Sequence, residues 1–338
     1  MPLARAAVVA VALASSAVLA SPASDRSPID IGSLSPWGNS FLWAVNNRNE
    51  AVGWSELAGL DSEHAILWRD GQLVDLGVLD GFDASRAFGI NDRGQIVGLS
   101  VEFGFFHTRA MLWQDGQMVE LVPGNDGCSA RAINNRGEIV LWCGGATVWR
   151  KGELTPIGSP PGFSSFPAAI NDAGMVAGSL SDGSARSRGF VWDAGTTTVL
   201  EPPPGMDLAS AGAIDAHGTV VGNVGRASVV DSYEPAVWRY GKVTPLAGTW
   251  GVFHGVAWGI NDHGDVVGAG HDAAHLPGQP GGAFVWSRGR FRFLPPGSIA
   301  NDINERGVAV GRFFFHESGI LHGMVWPRAL TRPYGSER

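Results

Sequence analysis

Apolar residues in this 338-residue chain come in short, strand-length runs divided by polar turns, and the same succession returns seven times. Its most regular stretch is a nine-residue phrase, clearest as Ile90-Asn91-Asp92-Arg93-Gly94-Gln95-Ile96-Val97-Gly98. The leading Asn or Asp recurs at Asn46, Asn91, Asn134, Asn171, Asp215, Asn261 and Asn304, in steps of 37 to 46 residues. That period suits a four-stranded blade and seven copies suit a closed ring, so the pattern predicts an all-β, seven-bladed β-propeller.

Each run has a place in such a blade. Before the turn lie small residues: Ala44, Gly89, Ala132, Ala169, Ala213 and Gly259 stand two positions ahead of the key residue. Blades converge toward the axis, so this small-residue segment is read as the innermost strand. The turn itself, Asn91-Asp92-Arg93-Gly94, has type I chemistry with Gly where the backbone goes left-handed. The first copy carries Asn49 at that position, the residue next best able to adopt the conformation. A second strand follows, as in Gln95 to Leu99. A third ends on Trp68, Trp113, Trp149, Trp192, Trp238, Trp286 or Trp326, where a wider gap between blades accepts a large ring. A fourth resembles Leu73-Val74-Asp75-Leu76-Gly77. The last copy lacks this strand, and Ile29-Asp30-Ile31-Gly32-Ser33-Leu34 near the start supplies a match. The N-terminal strand is therefore expected to complete the last blade and remove two open sheet edges. The single ring is expected over residues 29–327, after a short linker at 21–28 and before a polar tail at 328–338.

Length alone suggests two domains, but repeat arrays grow by adding neighbours rather than by starting a new core. The formal net charge of −8, with no run of Lys or Arg, leaves no electrostatic footprint for nucleic acid or an anionic membrane. Residues 1–20 read as a secretory signal peptide: Arg5 precedes an apolar stretch too short to span a bilayer, and Val18-Leu19-Ala20 offers a small-residue cleavage site. No later segment is apolar enough to span, so the mature protein is expected to be secreted or periplasmic. In such a compartment Cys128 and Cys143, on two arms of one hairpin, are a candidate disulfide worth about 3 kcal/mol on the loop-entropy model. Simple register from Asn134 opposite Glu138 places Cys143 against Ser129, and a one-residue bulge brings it opposite Cys128.

The phrases I-N-D-x-G-x-V-V-G, A-F-x-W-x-x-G and D-L-G-x-L resemble the HAF-repeat family of probable extracellular repeat proteins. The His-Ala-Phe triplet survives in part, in His64-Ala65-Ile66-Leu67-Trp68, His322-Gly323-Met324-Val325-Trp326 and Ala283-Phe284-Val285-Trp286. The resemblance implies an exported repeat protein and carries no shared catalytic chemistry. Its variable His implies a structural position.

Candidate chemistry is sparse. The Asn-Asp turns lack the alternating oxygens and final Glu of a calcium loop. His271, Asp272 and His275 share one loop without metal-ligand spacing on a strand, and no G-x-S-x-G elbow is present. Neither a metal nor a cofactor is expected. Two departures from the repeat are better leads. Asp302, next to Asn301, stands where six copies have Ala or Gly. The connections reaching the inner strands contribute Arg86, Arg131, His254 and Trp258, which would form a polar and aromatic rim at one channel mouth. Trp37 and Trp250 are further aromatic platforms. The expected function is a non-catalytic binding or scaffold module for a glycan or protein. The alternative is a secreted propeller hydrolase or lyase acting on polysaccharide, which would require carboxylates, or a His with acid partners, converging at one mouth.

Overall fold

The computed structural model describes residues 27–58, 62–104, 107–184, 186–229, 232–272 and 281–327. The expected signal peptide, most of the expected linker, the tail at 328–338 and His275 lie outside them. The chain is an all-β propeller. Blade 1 runs outward through Ser40–Val45, Ala51–Glu56, Glu63–Arg69 and Gln72–Asp75, all antiparallel. Blades 2 to 6 repeat this order, and a single parallel bridge, Ser187 to Leu208, joins blades 4 and 5 at their edges.

The core lies between blades rather than within them. Seven buried apolar clusters each draw on two successive blades, one for every interface of the ring. The repeat Trp of each blade packs toward the blade before it: Trp68 meets Val308, Val310 and Val325 of blade 7, and Trp326 meets Val267, Val285 and Leu294 of blade 6. Small inner-strand residues are needed because neighbouring backbones touch. A Cβ on Gly89 would lie 3.3 Å from the Cα of Ala132, and one on Gly259 2.9 Å from the Cα of Asp302.

The key Asn organises the turn and the ring together. In blade 1, Asn46 Oδ1 accepts from the N–H groups of Arg48 and Glu50, and Asn49 takes the left-handed conformation at φ 64°, as its turn chemistry predicts. In every blade the inner strand carries one extra residue three positions before the key residue, a bulge at Trp43, Phe88, Arg131, Ala168, Gly212, Trp258 and Asn301. The bulge at Arg131 shifts Ser129 opposite Trp142, which sets Cys128 against Cys143, and the two are disulfide-bonded.

Closure follows the same grammar. Blade 7 has three strands of its own, Ser298–Ile303, Ala309–Phe315 and Ile320–Trp326, and Ile29–Asp30 pairs with the last of them. The ladder is shorter, with two pairs against four in blade 1, but the side-chain bonds that anchor the fourth strand of blade 1 have counterparts here. Asp75 accepts from Gly77 N and faces His64, and Asp30 accepts from Gly32 N and faces His322. Ser85 donates to Gly77 O, and Ser40 donates to Gly32 O. Leu79 N donates to Ser100, and Leu34 N donates to Ser55. The partly kept His of the third strand therefore has a structural partner, the Asp of the fourth.

Candidate functional site

At the turn end of the axis the seven loops surround a cavity of about 220 Å³. Two circles of hydrogen bonds build its wall. In the first, the key Asn of each blade donates Nδ2 to the key residue's carbonyl in the next blade, as in Asn46 to Asn91 at 3.1 Å and Asn304 back to Asn46 at 2.8 Å. In the second, the following residue donates its backbone N–H to the corresponding side chain ahead: Asn47 to Asp92, Asp92 to Asn135, Asn135 to Asp172, Ala216 to Asp262, Asp262 to Glu305 and Glu305 to Asn47. Both circles fail at blade 5. Asp215 has no N–H to give Asn261, and Ala216 has no oxygen to offer Asp172.

The mouth is acidic, and its two halves differ. Asp92 and Asp172 alternate with Asn47 and Asn135, whose amides donate to their outer oxygens at 3.0–3.1 Å. Across the axis, Asp262 accepts only Ala216 N–H among the described contacts. Glu305 accepts from Asp262 N–H and lies 3.1 Å from Nδ1 of His263. Burial, reinforced by the charge of Asp262, raises the Glu305 carboxyl above the usual range against the pull of His263 and the Asp262 N–H. No Lys or Arg lines this cavity. A neighbouring cavity, sharing Asp215 and Asp262, adds His217, Thr219, His263 and Arg239. Carboxylates thus line this mouth, and His263, paired with Glu305, lies on the adjoining cavity. Among the described residues, no three His, Cys, Asp or Glu side chains gather to hold a metal.

The residues singled out from the sequence lie elsewhere and apart. Asn301 and Asp302 bind across the closing interface: Asn301 Nδ2 donates to Leu42 O at 2.7 Å, and Asp302 Oδ2 accepts from Val45 N–H at 2.9 Å. Asp302 is partly covered, and burial pushes its carboxyl up to about 7. Arg86 pairs with Glu63 and lies over Trp54, and Arg131 lies over Phe88 at 4.8 Å. His254 borders a third cavity with Arg226, Glu234 and Trp250, its Nδ1 buried without a partner. Trp258 is the bulged residue of blade 6, and Trp37 is 82% exposed. The acidic mouth itself escaped the sequence reading. Its signal was the residue after each key Asn, which the turn chemistry alone accounted for.

No known protein family matches the sequence, and no curated protein does. Solved structures match in fold. The chain is similar to prolyl oligopeptidase B from Galerina marginata, at 11% identity and TM-score 0.53, over 86% of this chain and 46% of that one. It is similar to the acylaminoacyl peptidase of Pyrococcus horikoshii, at 12% identity and TM-score 0.55, over 88% and 52%. A puromycin-hydrolyzing peptidase of Mycobacterium tuberculosis matches at 14% identity and TM-score 0.50, over 81% and 49%. The ring thus spans about half the length of these chains. The comparison corrects the expectation of a non-catalytic binding or scaffold module. The three solved chains named here are peptidases, and at 11–14% identity what the ring shares with them is the fold.

Proposed function

We propose a peptidase-related function, in which the turn-end mouth receives a peptide by its positively charged amino terminus. The observation that carries it is the half of the mouth formed by Asp262, His263 and Glu305. Asp262 and Glu305 are acids of the mouth that no side-chain amide fills among the described residues, and Glu305 is paired with His263. Peptide takes the place of polysaccharide as substrate, in keeping with the peptidases whose fold the ring shares. An imidazole held at one nitrogen by a carboxylate is a general-base arrangement. His263, oriented through Nδ1 by Glu305, has Nε2 left to take a proton from water as it adds to the scissile carbonyl. That proton then passes to the departing amine.

Export fits this reading. The disulfide suits an oxidising compartment, no described helix is long and apolar enough to cross a membrane, and the HAF-type repeat belongs to probable extracellular proteins. The test is peptide turnover by residues 21–338, followed by mass spectrometry. Peptides with free amino termini should be cleaved at least tenfold faster than their N-acetylated forms, and His263→Ala or Glu305→Gln should lower turnover by about a hundredfold. Absence of cleavage, or equal turnover in parent and variants, would overturn the proposal.

A further inference from the structure

Away from the acidic turns, the wall near the axis has the opposite character over blades 7, 1, 2 and 3. Trp43 and Phe88, both bulged inner-strand residues, meet edge to face at 6.0 Å. The guanidinium of Arg131, the next bulged residue, lies over Phe88 at 4.8 Å. Trp43 also contacts Phe41 at 4.4 Å, Phe41 stacks on Trp54, and Arg312 covers Phe41 from blade 7 at 4.7 Å. Guanidinium groups and rings therefore form one continuous arc across four blades.

Its charge is uncompensated. Arg86 has Glu63, but among the described residues neither Arg131 nor Arg312 has a carboxylate within ion-pair distance. Aromatic faces hold the two cations only weakly. Arg312 is partly covered, and burial lowers its pKa without an anion to offset the lost water. Arg131 remains exposed, and Trp43 is 38% exposed beside it. A planar fork of donors next to an open aromatic ring is fitted to a carboxylate that has an apolar or aromatic group attached.

We infer that the Trp43–Phe88–Arg131 arc is a carboxylate-binding subsite, taking the free carboxyl terminus of a peptide whose last side chain is aromatic. The assignment of a peptide rests on the function proposed above, whereas the preference for a carboxylate rests on the arc alone. Arg131 supplies bidentate hydrogen bonds to the carboxylate, Trp43 stacks on the terminal side chain, and Phe88 fixes the guanidinium between them.

The test is calorimetric titration of the mature protein with acetyl-Ala-Phe and with its carboxamide. The acid should bind at least tenfold tighter than the amide. Arg131→Gln should remove that difference with the melting temperature retained, and Phe88→Leu, which leaves the charge, should weaken it. Trp43→Ala should weaken both ligands. Glu305→Gln should leave the discrimination unchanged, so failure of the acidic mouth as a hydrolytic site is read separately. Equal binding of acid and amide, no binding of either, or discrimination that survives in Arg131→Gln would overturn the subsite.

Discussion

Inside blade 7 the covalent chain is broken between the third strand and Ile29–Asp30, and the interface of this blade with blade 1 has cross-strand bonds that the repeat itself does not supply, from Asn301 to Leu42 and from Val45 to Asp302. At blade 5 the chain is continuous, yet both circles of turn bonds lose a member there, at Asp215 and Ala216. Covalent closure and hydrogen-bonded closure are thus distributed differently around one ring. Where one blade is completed by a strand from the far end of the chain, side chains at otherwise small positions add bonds to its neighbour. Where the backbone passes through intact, the turn can lack its bonds and present unfilled polar groups to the axis. In a nearest-neighbour array each interface contributes separately to stability, so such exchanges are tolerated one interface at a time.

The largest effect should come from breaking the seam at its source. Removing residues 21–36 deletes the strand pairing, the Asp30–His322 contact, the Ser40–Gly32 bond and the packing of Ile31 and Leu34 on blade 1. The loss should be about 4 kcal/mol or more and should abolish a single cooperative transition. A truncated chain that melts at the parent temperature would show that the ring does not need its N-terminal strand.

A smaller effect isolates Asp302. Its folded pKa of about 7 lies above the ordinary 3.8, so between these values the folded state binds the proton that the unfolded state has released. Its contribution is neutral below pH 4 and becomes destabilising as pH rises toward 7. Three pKa units at about 1.4 kcal/mol each set a ceiling of about 4 kcal/mol. Asp302→Asn keeps an acceptor without the charge, so it should melt above the parent at pH 8. The difference should shrink toward zero near pH 4. A difference independent of pH would mean that ionisation of Asp302 does not burden the seam.

The contrast between these regions also separates what was legible from what was not. The ring, its four-stranded blades and its closure could be read because each depends on local chemistry: a left-handed Asn49 or Gly94, a terminal Trp, a recurring Asp-x-Gly at Asp30 and Asp75. The disulfide was readable up to its register, which hinged on the bulge at Arg131. The acidic mouth was not readable, since Asp92, Asp172, Asp262 and Glu305 lie 43 to 90 residues apart and come together only when the ring closes. Their division into a filled and an unfilled half depends on Asn47 and Asn135 lying beside two of them. Asp302 drew notice as an exception for a sound reason, but its partner, Val45, is 257 residues away.

The smallest effect is the most informative about blade 5. Asp215→Asn with Ala216→Asn would restore both missing members, giving Asn261 O a donor and Asp172 N–H an acceptor. Each regained hydrogen bond is worth about 0.5–1.5 kcal/mol, so the double variant should be about 1–3 kcal/mol more stable than the parent in urea unfolding. The existing bonds of Asp215 Oδ1 from His217 and Thr219 N–H are available to an Asn oxygen as well, so the turn itself should be unaffected. Unchanged or lower stability would mean that blade 5 is set too far from its neighbours for the circles to close, and the gap would then be a matter of spacing. If stability rises while peptide turnover falls, the gap belongs to the site. Blade 5 would then be the place where the ring gives up bonds so that the half of the mouth bearing Asp262 and Glu305 stays open to a ligand, the exchange of stability for function expected where a repeat departs from its own rule.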